Sequence, residues 1–105
     1  MGADTNSYGG LTGVAQGAAV RMNITQPTVV KTGKGRAVRL VIIVPGSGDG
    51  ALYDQATITG TDPTQQFGVI SSGKSAGDGY ILDWPFAVGF LVVPGAGQTV
   101  AVSYQ

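Results

Sequence analysis

Short runs of alternating apolar and polar residues, separated by glycine and proline, fill this chain from about residue 20 onward. A period of two is typical of strands, because successive side chains of a strand point to opposite faces of the sheet. The longest run, residues 36–45, is predicted to form the central strand. Its two predicted faces carry alternate residues: Val38, Leu40, Ile42 and Val44 on the first, and Ala37, Arg39, Val41 and Ile43 on the second.

The second face of the central strand becomes apolar after Arg39. A strand that covers only one side of a sandwich carries polar residues along its outer face. We therefore predict that Val41 and Ile43 are covered by something. Two covers are possible at this point, the N-terminal arm of the same chain or a neighbouring subunit.

Seven further segments have strand character, and turn signals separate them about every ten residues. They are residues 20–25, 28–32, 51–58, 66–70, 80–86, 90–93 and 99–104. In the first of them Val20, Met22 and Ile24 alternate with polar residues, which predicts a half-buried strand. Pro85 cannot donate a backbone hydrogen bond, so its strand is predicted to lie at a sheet edge or to break there.

The pattern predicts an all-β fold, a two-layer antiparallel β-sandwich of about eight strands with no helix. Its topology is expected to be jelly-roll-like or immunoglobulin-like. Residues 1–19 have neither the helical nor the strand period and are rich in small residues, so we expect an extended, flexible N-terminal arm. The sandwich domain is then residues 20–105.

Composition argues against catalysis. The chain has no cysteine or histidine, and all six of its acidic residues are aspartate. The usual general base, thiolate and imidazole metal ligands and the Ser-His and Cys-His nucleophile pairs are therefore missing. We predict a protein that is not an enzyme and has no catalytic residue, cofactor or metal site.

The charged residues are segregated along the chain. Five of its six cations precede residue 40, namely Arg21, Lys31, Lys34, Arg36 and Arg39, while five of the six aspartates follow that point. Such polarity can orient a protein on a partner, so these cations are predicted partner contacts, and attachment through them should weaken as salt rises. The alternative is that folding interleaves the two halves and removes the polarity.

Four short motifs could bind a ligand, but for each of them we favour a structural role. Residues 46–51 fit a dinucleotide-binding pattern but precede a strand, which favours a hairpin loop. Residues 33–36 favour a basic turn over a phosphate loop. Asp49, Asp62 and Asp78 lack the spacing of a calcium loop. Tyr80 and Trp84 share a predicted face with Leu82 and Phe86, which favours core over a sugar-stacking platform.

Six segments together resemble a known group of proteins. They are the long Val/Ile strand of residues 36–45 and residues 29–31, 52–54, 85–86, 89–93 and 100–104, which read VVK, LYD, PF, GFLVV and VAVSY. The chain is similar through them to the small β-sandwich structural proteins of tailed-phage virions, the head decoration or minor capsid proteins. The resemblance covers about residues 29–104. It implies a non-enzymatic decoration protein that binds the outer capsid surface and stabilises the head.

The implied partner is the major capsid protein, in a homo-oligomer on the phage head surface that binds neither nucleic acid nor membrane. No leader or membrane-spanning run is visible, so synthesis in the bacterial host cytoplasm is expected. The arm's Tyr8, Leu11 and Val14 would fit grooves between capsid subunits, ordering only when docked. The alternative function is a carbohydrate- or receptor-binding module, or an adaptor, at a phage neck, tail or fibre.

Overall fold

The computed structural model describes residues 19–105, and that part of the chain consists of strands joined by turns. The strands are β1 (Ala19–Ile24), β2 (Thr28–Thr32), β3 (Gly35–Val44), β4 (Gly50–Tyr53), β5 (Gln66–Ile70), β6 (Gly79–Phe86), β7 (Gly89–Val93) and β8 (Thr99–Tyr104). One turn of 3₁₀ helix, Pro63–Gln65, precedes β5. The all-β prediction is confirmed.

The eight strands form two antiparallel sheets of four. Sheet I has the order β1-β8-β3-β6, and sheet II has the order β2-β7-β4-β5. Each strand of the first half pairs with its mirror-image strand in the second half: β1 with β8, β2 with β7, β3 with β6 and β4 with β5. A single long hairpin rolled into two layers has this order. The topology is therefore that of a jelly roll, and the immunoglobulin alternative, with its three- and four-stranded sheets, is not the one adopted.

The core lies between the two sheets and takes at least one side chain from every strand. Its members are Ile24, Val30, Ala37, Leu40, Ile42, Leu52, Ile70, Phe86, Phe90, Val92, Val100 and Val102. The two inner faces of a β-sandwich interdigitate in this way to exclude water. The predicted two-layer sandwich is thus confirmed.

The predicted faces of the central strand, now β3, are partly wrong. Ala37, Leu40 and Ile42 are fully buried, whereas Val38 is only half-buried and Val44 is 46 % exposed. The pairing of β3 with β8 shifts register between Ala37 and Arg39 and again between Ile42 and Val44. Each β-bulge adds one residue to β3, and one extra residue exchanges the two faces of a strand.

Two other strands differ from prediction for local reasons. In β1 only Ile24 is buried, because a bulge with Asn23 at φ 58° interrupts the alternation and leaves Val20 and Met22 exposed. β4 ends at Tyr53 rather than at residue 58. The Asp54 carboxylate accepts hydrogen bonds from the backbone N–H groups of residues 87–89, which turns the chain out of the sheet.

The predicted edge position of Pro85 is confirmed, because β6 is the last strand of sheet I. The predicted hairpin at residues 46–51 is not: this loop carries the chain from β3 in sheet I to β4 in sheet II. Among the strands of residues 19–105, β4 and β5 are the only two that follow one another in the chain and also pair, so they form the only hairpin of consecutive strands there.

Candidate interaction surface

The outer side of sheet I, away from the core, is largely apolar. We call this surface the sheet I face and define it by eight residues: Val20, Met22, Arg39, Val41, Ile43, Ile81, Ala101 and Ser103. Ile81 is 78 % exposed, Met22 72 % and Val20 62 %. Soluble proteins seldom leave several large apolar side chains together in water unless the surface binds something.

Strand pairing assembles this face from distant parts of the chain. Arg39 on β3 lies opposite Ser103 of β8 and Ile81 of β6, and Ser103 in turn lies opposite Val20 of β1. Directly opposed residues share one side of a sheet, so these four side chains form a row across all four strands.

A second row on the sheet I face consists of smaller residues. Val41 lies opposite Ala101 on one side and Gly79 on the other. Small side chains therefore form the middle of the face, between Ile43 above and the row of Arg39 below. Val41, Ala101 and Gly79 thus form a shallow apolar depression, the apolar floor of the face, with larger side chains around it.

Arg39 is the charge nearest the middle of the sheet I face. The neighbouring cation on β3, Arg36, forms an ion pair with Asp83, with Nη1 and Oδ1 2.8 Å apart. Among residues 19–105 no carboxylate lies within salt-bridge distance of Arg39. The sheet I face therefore presents one arginine that has no carboxylate partner among residues 19–105 and lies between Ile81 on one side and Ser103 on the other.

The five cations predicted as partner contacts are divided by the fold. Arg36 and Arg39 are on β3 in sheet I. Lys31 is on β2 in sheet II, and Lys34 is in the turn between β2 and β3. Arg21 lies opposite the core residue Val102, which places it on the inner side of the edge strand β1. Arg36 precedes the buried Ala37 and is therefore also on the outer side of sheet I, where it is paired with Asp83. Arg39 is the one of the five that lies within the sheet I face, and the role of the five as contacts stays a prediction.

The remaining predicted contacts lie partly on this face. Val41 is half-buried and Ile43 is 48 % exposed, both on the outer side of β3. Tyr8, Leu11 and Val14 lie outside the described residues. Sequence reasoning missed Val20, Met22 and Ile81. Alternation predicted that Val20 and Met22 share the buried side of their strand with Ile24, and it placed Ile81 on the same side as Asp83 and Pro85.

The motif loops are occupied by internal hydrogen bonds. The loop after β3 packs against the loop after β7, where Ser47 donates its backbone N–H to the Ala96 carbonyl. In the turn before β3, Gly33 donates its N–H to Val88. These backbone donors are therefore not directed at a phosphate.

The loop aspartates also serve the fold. Asp49 accepts a hydrogen bond from the Ser72 N–H, and Asp62 accepts from the N–H and hydroxyl of Thr64. These hydrogen bonds lower the pKa of both carboxyl groups. No group of three potential metal-ligating side chains occurs among the residues described, so these aspartates are not gathered for calcium.

Two aromatic residues of β6 have different environments. Tyr80 packs against the core, and its hydroxyl accepts a hydrogen bond from the Ser71 N–H. Trp84 is 49 % exposed and stacks on Phe67, with ring centroids 6.0 Å apart and planes 11° from parallel. The prediction of a core position is confirmed for Tyr80 and is wrong for Trp84, which lies at the β5–β6 edge of the sandwich.

Residues 19–105 contain no pocket, and none of their elements is a helix able to cross a membrane. No family model, curated protein or solved structure matches the chain. The sheet I face is therefore the feature of the described structure that has the character of a functional site.

Proposed function

We propose that this protein is a non-enzymatic virion component, a decoration protein that binds the outer surface of a bacteriophage head and stabilises the shell. The observation that supports it best is the sheet I face, an exposed apolar surface built on four hydrogen-bonded strands. A rigid apolar face suits docking to another protein surface, because little conformational entropy is lost on binding. The jelly-roll order adds a fold-level analogy, since capsid domains use it, and so do lectins.

The mechanism is burial of apolar surface across the seams between capsid subunits. Each square ångström of apolar surface removed from water contributes about 25 cal/mol, from which the cost of association is subtracted. Copies bound at repeated seams oppose the separation of neighbouring capsid subunits. The major capsid protein is the partner in this proposal, and the decoration protein acts as a homo-oligomer.

The test compares virions that contain the protein with virions of a deletion strain. Electron microscopy should show additional density on the head of the first kind and not of the second. The deletion particles should also release their DNA at a lower temperature, measured with a fluorescent dye, and added protein should restore the release temperature. Density at the neck, tail or fibre, with head stability unchanged, would contradict the proposal.

A second candidate is carbohydrate binding at a tail or fibre, and Trp84 is the observation that favours it. An exposed indole backed by Phe67 presents one flat apolar face, the kind of surface on which sugar rings stack. A glycan array tests this function. Binding that Trp84→Ala abolishes, while Val69→Ala on the neighbouring β5 retains it, would favour the second candidate.

A further inference from the structure

We infer that the sheet I face docks against an apolar surface of a different protein, and that this surface presents one carboxylate to Arg39. The inference rests on the proposed function, because it names the face and the partner chemistry through which the protein attaches to the shell. It is argued from the composition of the face, from its size and from the segment that precedes β1.

Composition sets the chemistry of the partner. The sheet I face combines four large apolar side chains with a single arginine, and arginine and methionine are enriched in the buried centres of protein interfaces. A nucleic acid would need many cations on one surface, whereas β3 brings only Arg36 and Arg39 to the outer side of sheet I, and Arg36 is already paired with Asp83. Removing Arg39 from water without an opposite charge would be unfavourable, so the partner supplies the carboxylate that residues 19–105 do not.

A second copy of this chain does not meet these requirements. A two-fold axis near the middle of the face would bring the two Arg39 side chains towards each other. The nearest acid on β6, Asp83, is already paired with Arg36. Four strands about 4.8 Å apart and five residues of about 3.4 Å each cover only some 330 Å² in projection. A stable pair of proteins usually buries about 800 Å² on each partner, so this face alone would not hold two isolated copies together, whereas a shell that repeats the site many times does not depend on one contact.

The chain's own N-terminal segment is also a poor occupant. Residues 1–18 lead directly into β1 at the edge of sheet I, so they are long enough to reach the face. Ordering them costs roughly 1–2 kcal/mol for each residue fixed. On an open sheet face Tyr8, Leu11 and Val14 would each be buried on one side only, which offsets less of that cost than a groove between subunits does, whereas a prefolded partner surface does not incur the cost.

The small area has a consequence for affinity. One face of about 330 Å² gives weak attachment when it binds alone. A shell that repeats the same site many times, together with an oligomeric decoration protein, converts weak single contacts into firm attachment. The carboxylate opposite Arg39 then supplies specificity and register, and the apolar floor around Val41 supplies most of the binding energy.

The experiment measures binding of the full-length protein to head particles from the deletion strain. Ile81→Asp should weaken binding at least about tenfold, because it removes an apolar contact and places a carboxylate directly opposite Arg39, where it competes with the carboxylate of the partner. Val69→Asp is its matched control: Val69 is 53 % exposed on β5 of sheet II and should change binding less than about threefold. Arg39→Glu should also lose about tenfold. Its control is Lys74→Glu, which makes the same change of charge in the loop between β5 and β6, at a residue that is not among the predicted contacts. Circular dichroism melting of each variant verifies that it is folded.

Each result decides the inference. Wild-type binding that Ile81→Asp and Arg39→Glu reduce, with both controls unaffected, supports it. Wild-type binding that all variants retain overturns the inference and leaves the proposed function standing. Absence of wild-type binding defeats both. If sedimentation shows an oligomer that Ile81→Asp dissociates, a second copy occupies the face, and if deletion of residues 1–18 strengthens particle binding, the chain's own segment covers it. Either result overturns the inference.

Discussion

Asp54 shows what the carboxylates of this protein do at the scale of single residues. Its two oxygens accept backbone N–H groups from Ala87, Val88 and Gly89, the closest at 2.7 Å. These bonds attach the end of β4 to the connection between β6 and β7. Burial raises the pKa of Asp54, but the three N–H donors together outweigh burial, and the pKa is lowered.

We expect Asp54→Asn to lower the free energy of unfolding by about 1–2 kcal/mol, because a charged acceptor of three hydrogen bonds is replaced by a neutral amide. Equilibrium denaturation in urea measures the change. The matched control is Asp83→Asn, which removes an exposed ion pair with Arg36 and should cost no more than about 0.5 kcal/mol. Both substitutions remove one negative charge, so a general charge effect would change both variants equally.

The same carboxylate predicts a pH dependence with a definite sign. A lowered pKa in the folded protein means that its stabilisation is fully present above the unfolded value of about 3.9 and is lost as pH falls through the folded pKa. The difference in stability between wild type and Asp54→Asn should therefore be constant from about pH 5 to about pH 7 and shrink below about pH 4. A difference that is unchanged at about pH 2.5 would contradict this explanation of the Asp54 contacts.

At the scale of elements, the positions of the strands could be predicted from alternation and turn residues. Which residues of each strand point to the core could not. Val38 and Ala37 are both small and apolar, and only the bulge at Val38 decides that Ala37 points to the core. A bulge depends on the register of the neighbouring strands β6 and β8, which a local pattern does not contain. The early end of β4 has a similar cause, since the partners of Asp54 lie more than thirty residues further along the chain.

The loops after β3 and β7 pack backbone against backbone. A Cβ atom added to Gly95 would overlap the carbonyl oxygen of Gly48. Gln98 completes this contact, because its side-chain oxygen accepts the Gly95 N–H at 3.0 Å while the residue is 1 % exposed. Glycine at position 95 is thus required by the close approach of two chain segments.

Gly95→Ala should lower the free energy of unfolding by about 1–3 kcal/mol, the usual effect of overfilling a packed site. Gly73→Ala is the matched control, since its added Cβ would lie 3.4 Å from the Ser71 hydroxyl oxygen and meet no backbone atom. That variant should stay within about 0.5 kcal/mol of wild type, because less backbone freedom in the unfolded chain offsets any small crowding. Equal stability of the two variants in thermal melts would show that the loop contact is not tight.

At the scale of the whole molecule, the candidate surface could be predicted only in part. Val41 and Ile43 were identified because they follow one another on one face of a single long strand. Val20 and Ile81 join them only through the pairing of β1 with β8 and of β3 with β6, which brings residues about sixty positions apart onto one face. The rolled topology also separates the cations, because consecutive strands β2 and β3 belong to different sheets.

The predicted N-terminal arm gives a final prediction. β1 begins at Ala19, which pairs with Tyr104, so a deletion that tests the segment should end at residue 18. Five glycines among residues 1–18 make the segment unfavourable to order alone, at roughly 1–2 kcal/mol per residue. We therefore expect the deletion to leave the melting temperature nearly unchanged but to weaken binding to head particles, because Tyr8, Leu11 and Val14 become ordered against the partner. Hydrogen exchange on the free protein is the direct measurement. Strong protection of residues 8–14 before any particle is added would mean that the segment belongs to the folded domain, and a lower melting temperature for the deletion variant would lead to the same conclusion.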